Sequence, residues 1–179
     1  YFIDTGINLP EDAIALELKG LWANDGIGKI GHNIKELITW LFKYGIEMEG
    51  VIFDTMIAEY LIDPLRNSYP ITNLSYKYIN RTVLSMEELI GKGKGARDYS
   101  VIPVNQLAEY SAQNVRAVYD LWAVQKKILE DNHQAGLYEK IELPLVTVLA
   151  SMEYHGFRVD ADRLMEFRNS LSARIDTLE

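Results

Sequence analysis

From residue 104 to residue 131 the chain carries neither Gly nor Pro, and Leu107, Tyr110, Ala117, Leu121, Val124 and Ile128 recur at helical spacing. That run predicts one helix of about seven turns, far longer than any other element the sequence suggests.

Upstream, strand and helix signals alternate. Lys29-Ile30-Gly31-His32 reads as a very short strand, and Asn33 stands where an N-cap belongs before a helix carrying Leu37, Ile38, Leu41 and Phe42. Gly45 stops that helix. Val51-Ile52-Phe53 fits a buried strand, and Asp54 can cap a helix over 55–62 that ends before Pro64. Residues 1–4 predict a further strand. After Pro10, the acidic Glu11 and Asp12 suit a helix start whose Ile14, Leu18 and Leu21 share a face, closed by the turn Asn24-Asp25-Gly26. The repeated alternation supports an α/β fold.

Two short helices are expected to begin near Thr72 and at Ser85, the latter by the capping box Ser85-Met86-Glu87-Glu88. The glycine-rich stretch 91–100 reads as loop. Gly136 separates the long helix from a segment over 137–154, which Pro144 should kink and Gly156 should close. In the last segment Leu164, Phe167, Leu171, Ile175 and Leu178 form one apolar helical stripe, which calls for a partner outside the chain. The chain also starts on Tyr rather than Met, so a piece of a longer protein is expected.

A length of 179 residues with 48% hydrophobic content supports one buried core and an appendage. With 26 acidic against 18 basic residues the net charge is -8, so no global field draws in a polyanion and any DNA contact must be local. Zero cysteines exclude disulfides and thiolate metal sites. No apolar run approaches the roughly 20 residues of a membrane span, and a cytoplasmic protein is the expectation.

Three short patterns carry chemistry. Asn33-Ile-Lys-Glu-Leu37 lies where the strand over 29–32 runs into its helix, Tyr110-Ser-Ala-Gln-Asn114 lies in the long helix, and Asp4-Thr5-Gly6 begins at the end of the strand over 1–4. With the junction Ile141-Glu-Leu-Pro-Leu145 and Glu153-Tyr-His-Gly-Phe-Arg-Val-Asp160, they resemble the 3′-to-5′ exonuclease domain of the bacterial polymerase I group, the family A DNA polymerases, and its passage into the polymerase domain. The resemblance covers most of the chain, and the junction is its most specific part.

What the resemblance implies is chiefly a loss. In that family the second motif is Asn-x-x-x-Asp, and the aspartate position falls on Leu37. The third is Tyr-x-x-x-Asp, and its aspartate position holds Asn114. The first, Asp-x-Glu, would place its glutamate on Gly6, or else its strand precedes Tyr1. Two-metal hydrolysis needs clustered carboxylates to hold two divalent cations about 4 Å apart, and neither leucine nor asparagine supplies a charge. The expected fold is the ribonuclease H-like exonuclease fold, with a mixed central sheet and flanking helices, followed by a helical segment. The expected domains are a vestigial exonuclease-like unit over 1–135 and the helical start of the polymerase domain over 136–179. The resemblance further implies no catalytic residue here, with Asn33, Leu37, Tyr110 and Asn114 as degenerate motif positions. It implies no cofactor in this stretch, magnesium for the parent polymerase, partnership with the polymerase domain of the same chain and DNA through the parent, no membrane, a monomer, and a bacterial cytoplasm with the nucleoid.

Each site also has a plain structural reading. Asn33 serves as an N-cap, Leu37 as core, Tyr110 as an amphipathic helix residue and His32 as a capping or surface histidine. Glu36 points about 100° away from Leu37 around the helix, and Asp54 and Asp120 lie on elements the family does not use for ligation. The loop bearing Lys92, Lys94 and Arg97 lacks a phosphate-loop pattern. Two other functions stand beside the scaffold: an exonuclease active through unusual ligands, and an interaction module docking through residues 66–100.

Overall fold

The computed structural model of the protein describes residues 9–178. The strand expected over 1–4, and Asp4 with it, lies outside them.

Acidic side chains open the first helix, α1 (Glu11–Glu17), which gives way at Leu18 to a single turn, α2 (Lys19–Trp22). Of the shared face expected of Ile14, Leu18 and Leu21, the first two are half-buried and Leu21 is exposed. Ala15 is the fully buried residue of α1.

Next come β1 (Lys29–Gly31), α3 (Ile34–Phe42), β2 (Val51–Asp54) and α4 (Thr55–Ile62). β1 and β2 pair in parallel, Gly31 opposite Asp54, with an irregularity between Lys29 and Ile30. Among the described residues the sheet is this pair alone. The mixed sheet implied by the resemblance is therefore represented by a parallel part only, and the described chain is mostly helical.

α5 (Ile71–Ile79) and α6 (Met86–Ile90) follow, the second opened by the expected capping box: Ser85 Oγ accepts from Glu88 N, and Glu88 accepts from Ser85 N. Two single 3-10 turns, Gly93–Gly95 and Tyr99–Val101, punctuate the stretch expected as loop. α7 (Val104–Asp131) has the bounds its periodicity predicts. α4 and α5 lie along it and α3 packs on the later helix Leu143–His155, so the sheet is walled by helices.

After the one-turn α8 (Ala135–Leu137) comes a π-helical turn, Tyr138–Glu142, then α9 (Leu143–His155) and α10 (Ala161–Leu178). The π turn is the form the expected kink at Pro144 takes. Proline has no N–H to give the carbonyl four residues back, and its ring crowds that carbonyl, so the backbone widens just before it.

Two clusters make the core. Ala15, Ile34, Ile38, Leu41, Ile46 and Met48 close on Val146 and Ala150 of α9. Phe53 and Ala58 close on Leu129 and Tyr138. Residues on both sides of Gly136 thus contribute to both halves of the interior. α10 is exposed along its described length, and its apolar stripe has no cover among the described residues. No helix among them is long and apolar enough to cross a membrane.

A buried charge ties the helices together. Glu59 is fully buried on α4 and accepts from Lys77 Nζ at 2.8 Å and from Gln125 Nε2 at 3.2 Å, joining α4, α5 and α7. A buried carboxylate is tolerable only when paired in this way.

Candidate functional site

The site is organised by Asp54, at the point where β2 turns into α4. Its side chain is fully buried and accepts from four backbone N–H groups. Oδ1 takes Met56 N at 2.8 Å and Ile57 N at 3.3 Å, the cap that the sequence predicts for α4. The same oxygen takes Asn33 N at 3.1 Å, and Oδ2 takes Ile34 N at 2.7 Å. One carboxylate therefore caps two helices and sits where both positive helix ends converge.

This corrects the reading of Asn33 as a side-chain cap. Asn33 occupies the N-cap position with φ 55, makes no capping bond, and donates its Nδ2 to Glu36 instead. Asparagine tolerates the left-handed conformation better than most residues, and the capping is done by a carboxylate that arrives from the next strand.

An open cleft of about 460 Å³ lies between the end of β1 and α7. Its walls are Ile30, Gly31 and His32 on one side and Tyr110, Asn114, Val115, Val118 and Tyr119 on the other, with Ile71 of α5 and Ser111 completing the lining. Tyr110 and Asn114, two of the positions that the resemblance singles out, face this cleft. Leu37 does not line it: partly buried, it packs against the cluster of Ile34, Ile38 and Leu41. Asn33 adjoins the cleft through its neighbour His32.

Asn114 donates its Nδ2 to the carbonyl of Tyr110 at 3.0 Å, one turn back, while its Oδ1 is buried without a hydrogen bond. Thr55, buried beside Asp54, donates to Gly31 O at 3.2 Å and shares a 2.8 Å hydrogen bond with His32 Nδ1. His32 is thus half-buried in the cleft wall rather than a capping or surface residue. No sequence motif singles out Thr55, Val118 or Tyr119 as site residues. Their place depends on how α4 and α7 are set against β1, which local periodicity does not encode.

Burial holds His32 below the usual histidine range, against the opposing pull of Asp54, the backbone of Tyr69 and Glu36. A histidine depressed in the folded state takes up its proton first in the unfolded chain. It contributes stability above about pH 6.5 and loses it as pH falls through the folded value. The urea midpoint is therefore expected to drop between pH 7 and pH 5, with a shallower drop in His32→Gln. Equal slopes in the two proteins would remove His32 from the acid response.

The donors that line the cleft are an imidazole, two phenols, a hydroxyl and an amide, with no carboxylate among the described residues. Glu36 is exposed and bonded to Asn33, and Asp120 is held by Arg81 at 2.7 Å and Arg116 at 3.1 Å. Burial pulls the Asp120 carboxyl upward, but the two guanidinium groups outweigh it and keep it below its usual value. Among the described residues this lining supplies none of the charged oxygens that a pair of divalent cations prefers. Of the basic loop, Lys92 pairs with Glu87, and Arg97 donates to Leu89 O at 2.8 Å.

Comparison with known proteins places these features in a lineage. The family model for the 3′-5′ exonuclease of DNA polymerase A matches residues 1–130. DNA polymerase I of Bacillus subtilis strain 168 is 31% identical over 173 residues, covering 96% of this chain and 19% of that protein. DNA polymerase I of Rhizobium leguminosarum is 29% identical over 162 residues, covering 90% of this chain and 16% of that protein. The chain therefore spans less than a fifth of the length of these curated relatives. Among solved structures, the POL domain of Pol1 from M. smegmatis, in complex with DNA primer-template and dNTP, shares the fold. The TM-score is 0.75 at 24% identity, over 98% of this chain and 27% of that one.

Proposed function

Because the chain belongs to the 3′-5′ exonuclease family of DNA polymerase A, we propose that it is the exonuclease-like part of a family A DNA polymerase whose cleft has lost proofreading chemistry and serves as a scaffold. One observation carries this reading. The two positions where the family's second and third motifs hold aspartate carry Leu37, turned into the core, and Asn114, an uncharged amide. Without those charges neither of the two cations needed to activate water and stabilise the leaving oxygen is compensated.

On this reading the fold is the ribonuclease H-like one, and 1–135 and 136–179 are the exonuclease-like unit and the start of the polymerase domain. Tyr138, Val146 and Ala150 belong to both, since they sit in the exonuclease-like core. Magnesium, DNA and deoxynucleotide addition belong to the parent enzyme, which acts as a monomer in the bacterial cytoplasm on the nucleoid.

The test is degradation of 5′-labelled single-stranded DNA by the intact protein with magnesium or manganese, beside Tyr110→Phe. No shortening above the metal-free control is expected from either. Metal-dependent shortening that weakens in Tyr110→Phe would restore the rival reading, an exonuclease working through unusual ligands.

A further inference from the structure

The hydroxyl of Tyr138 accepts from Asp54 N at 2.6 Å and donates to Asp54 O at 3.2 Å. A phenylalanine here would keep the tilted ring contact with Phe53, whose centroid lies 5.0 Å away. It would leave both backbone groups of Asp54 without this partner. Only a group that both donates and accepts can serve the two at once. Tyr138 is 2% exposed, and burial pushes its hydroxyl up, so the proton that makes the second bond stays in place.

The residue so gripped is the one whose carboxylate holds the first turn of α3 and the first turn of α4. The next residue, Thr55, bonds Gly31 and His32 on the cleft wall. Four residues before Tyr138, Gln134 donates to Leu61 O at 2.9 Å, so the segment following α7 holds α4 at both ends.

We infer that the Tyr138 hydroxyl is a latch coupling the segment after α7 to the β1 wall of the cleft, through the backbone and carboxylate of Asp54. A movement of that segment is transmitted to Gly31 and His32 by consecutive hydrogen bonds, with no contact of its own in the cleft. The inference stands on these bonds and does not depend on the loss of nuclease chemistry.

Hydrogen exchange read by mass spectrometry on the intact protein tests it, with Tyr138→Phe beside Leu129→Ala. The second variant damages the same apolar cluster but keeps the hydroxyl. In Tyr138→Phe the amides of 30–36 are expected to exchange at least about tenfold faster, as both hydrogen bonds of the hydroxyl to Asp54 are lost, while those of 110–118 keep their rates. His32, titrated by exchange at its ring carbon, is expected to move up toward the usual histidine range. Leu129→Ala is expected to speed exchange near 122–131 and at Ile30, which packs on the same cluster, and to leave 31–36 and His32 as they were. The latch is overturned if 31–36 or His32 is unmoved by Tyr138→Phe, if both variants move them equally, or if exchange rises evenly along the chain.

Discussion

Asp54→Ala is expected to lower the stability of this domain by about 4 kcal/mol, because it removes an N-cap from two helices and strands four buried N–H groups. A lost cap costs about 1 kcal/mol in an ordinary exposed helix, and hydrogen bonds to a charged group contribute about 1.5–3 kcal/mol each. The full sum is not reached, because water enters the gap and the first turns fray. Asp54→Asn separates charge from geometry. Its Oδ1 can keep Asn33, Met56 and Ile57, the three partners of one carboxylate oxygen, but its amide N–H₂ then meets the N–H of Ile34. Two donors face to face are expected to cost about 2 kcal/mol. Urea unfolding followed by tryptophan fluorescence reads both. A loss under about 1 kcal/mol for Asp54→Ala would mean that the carboxylate is not the shared cap.

The double cap also marks the limit of what the sequence could disclose. Asp54 before Thr55 predicts a cap for α4 because capping is local, and the structure places it there. Its second duty, at α3, joins residues about twenty apart and follows from the parallel pairing of Gly31 with Asp54. No local pattern carries that. The same reasoning explains Asn33, right in position and wrong in chemistry, and Glu59, whose burial nothing in Thr55-Met-Ile-Ala-Glu-Tyr60 announces. α7 lies at the other extreme, since a long run without Gly or Pro and with a steady apolar period is decided by local terms. Of the candidate site, the family motifs located Tyr110 and Asn114, which the structure brings to one cleft with His32. They could not show that Leu37 turns to the core or that Thr55 holds the opposite wall, because both depend on packing between helices distant in sequence.

Gly50→Ala is the second large loss expected, about 3 kcal/mol, from backbone strain and a collision together. Gly50 has φ +68, where a side chain costs about 1–2 kcal/mol. A Cβ built there would also lie 2.7 Å from the carbonyl oxygen of Ile27, 3.0 Å from that of Asp25 and 3.2 Å from that of Asn24. Of these carbonyls that of Asn24 is anchored by two donors, and the turn is tied to Gly50 itself. Lys29 N donates to Gly50 O at 2.8 Å, Ile27 N donates to Asn24 O, and the buried Lys29 ammonium holds Asn24 O as well. Gly45 supplies the control, with φ +63 and no atom within 4 Å of a built Cβ. Gly45→Ala should therefore lose only the strain, about 1 kcal/mol, and the difference between the two variants measures the collision. The Gly50 change acts on the turn that feeds β1, so its damage should appear first as faster amide exchange in 29–31 and 51–54. Equal losses in the two variants would mean that the turn carbonyls yield, and that the close approach of this turn to Gly50 does not hold the two strands in register.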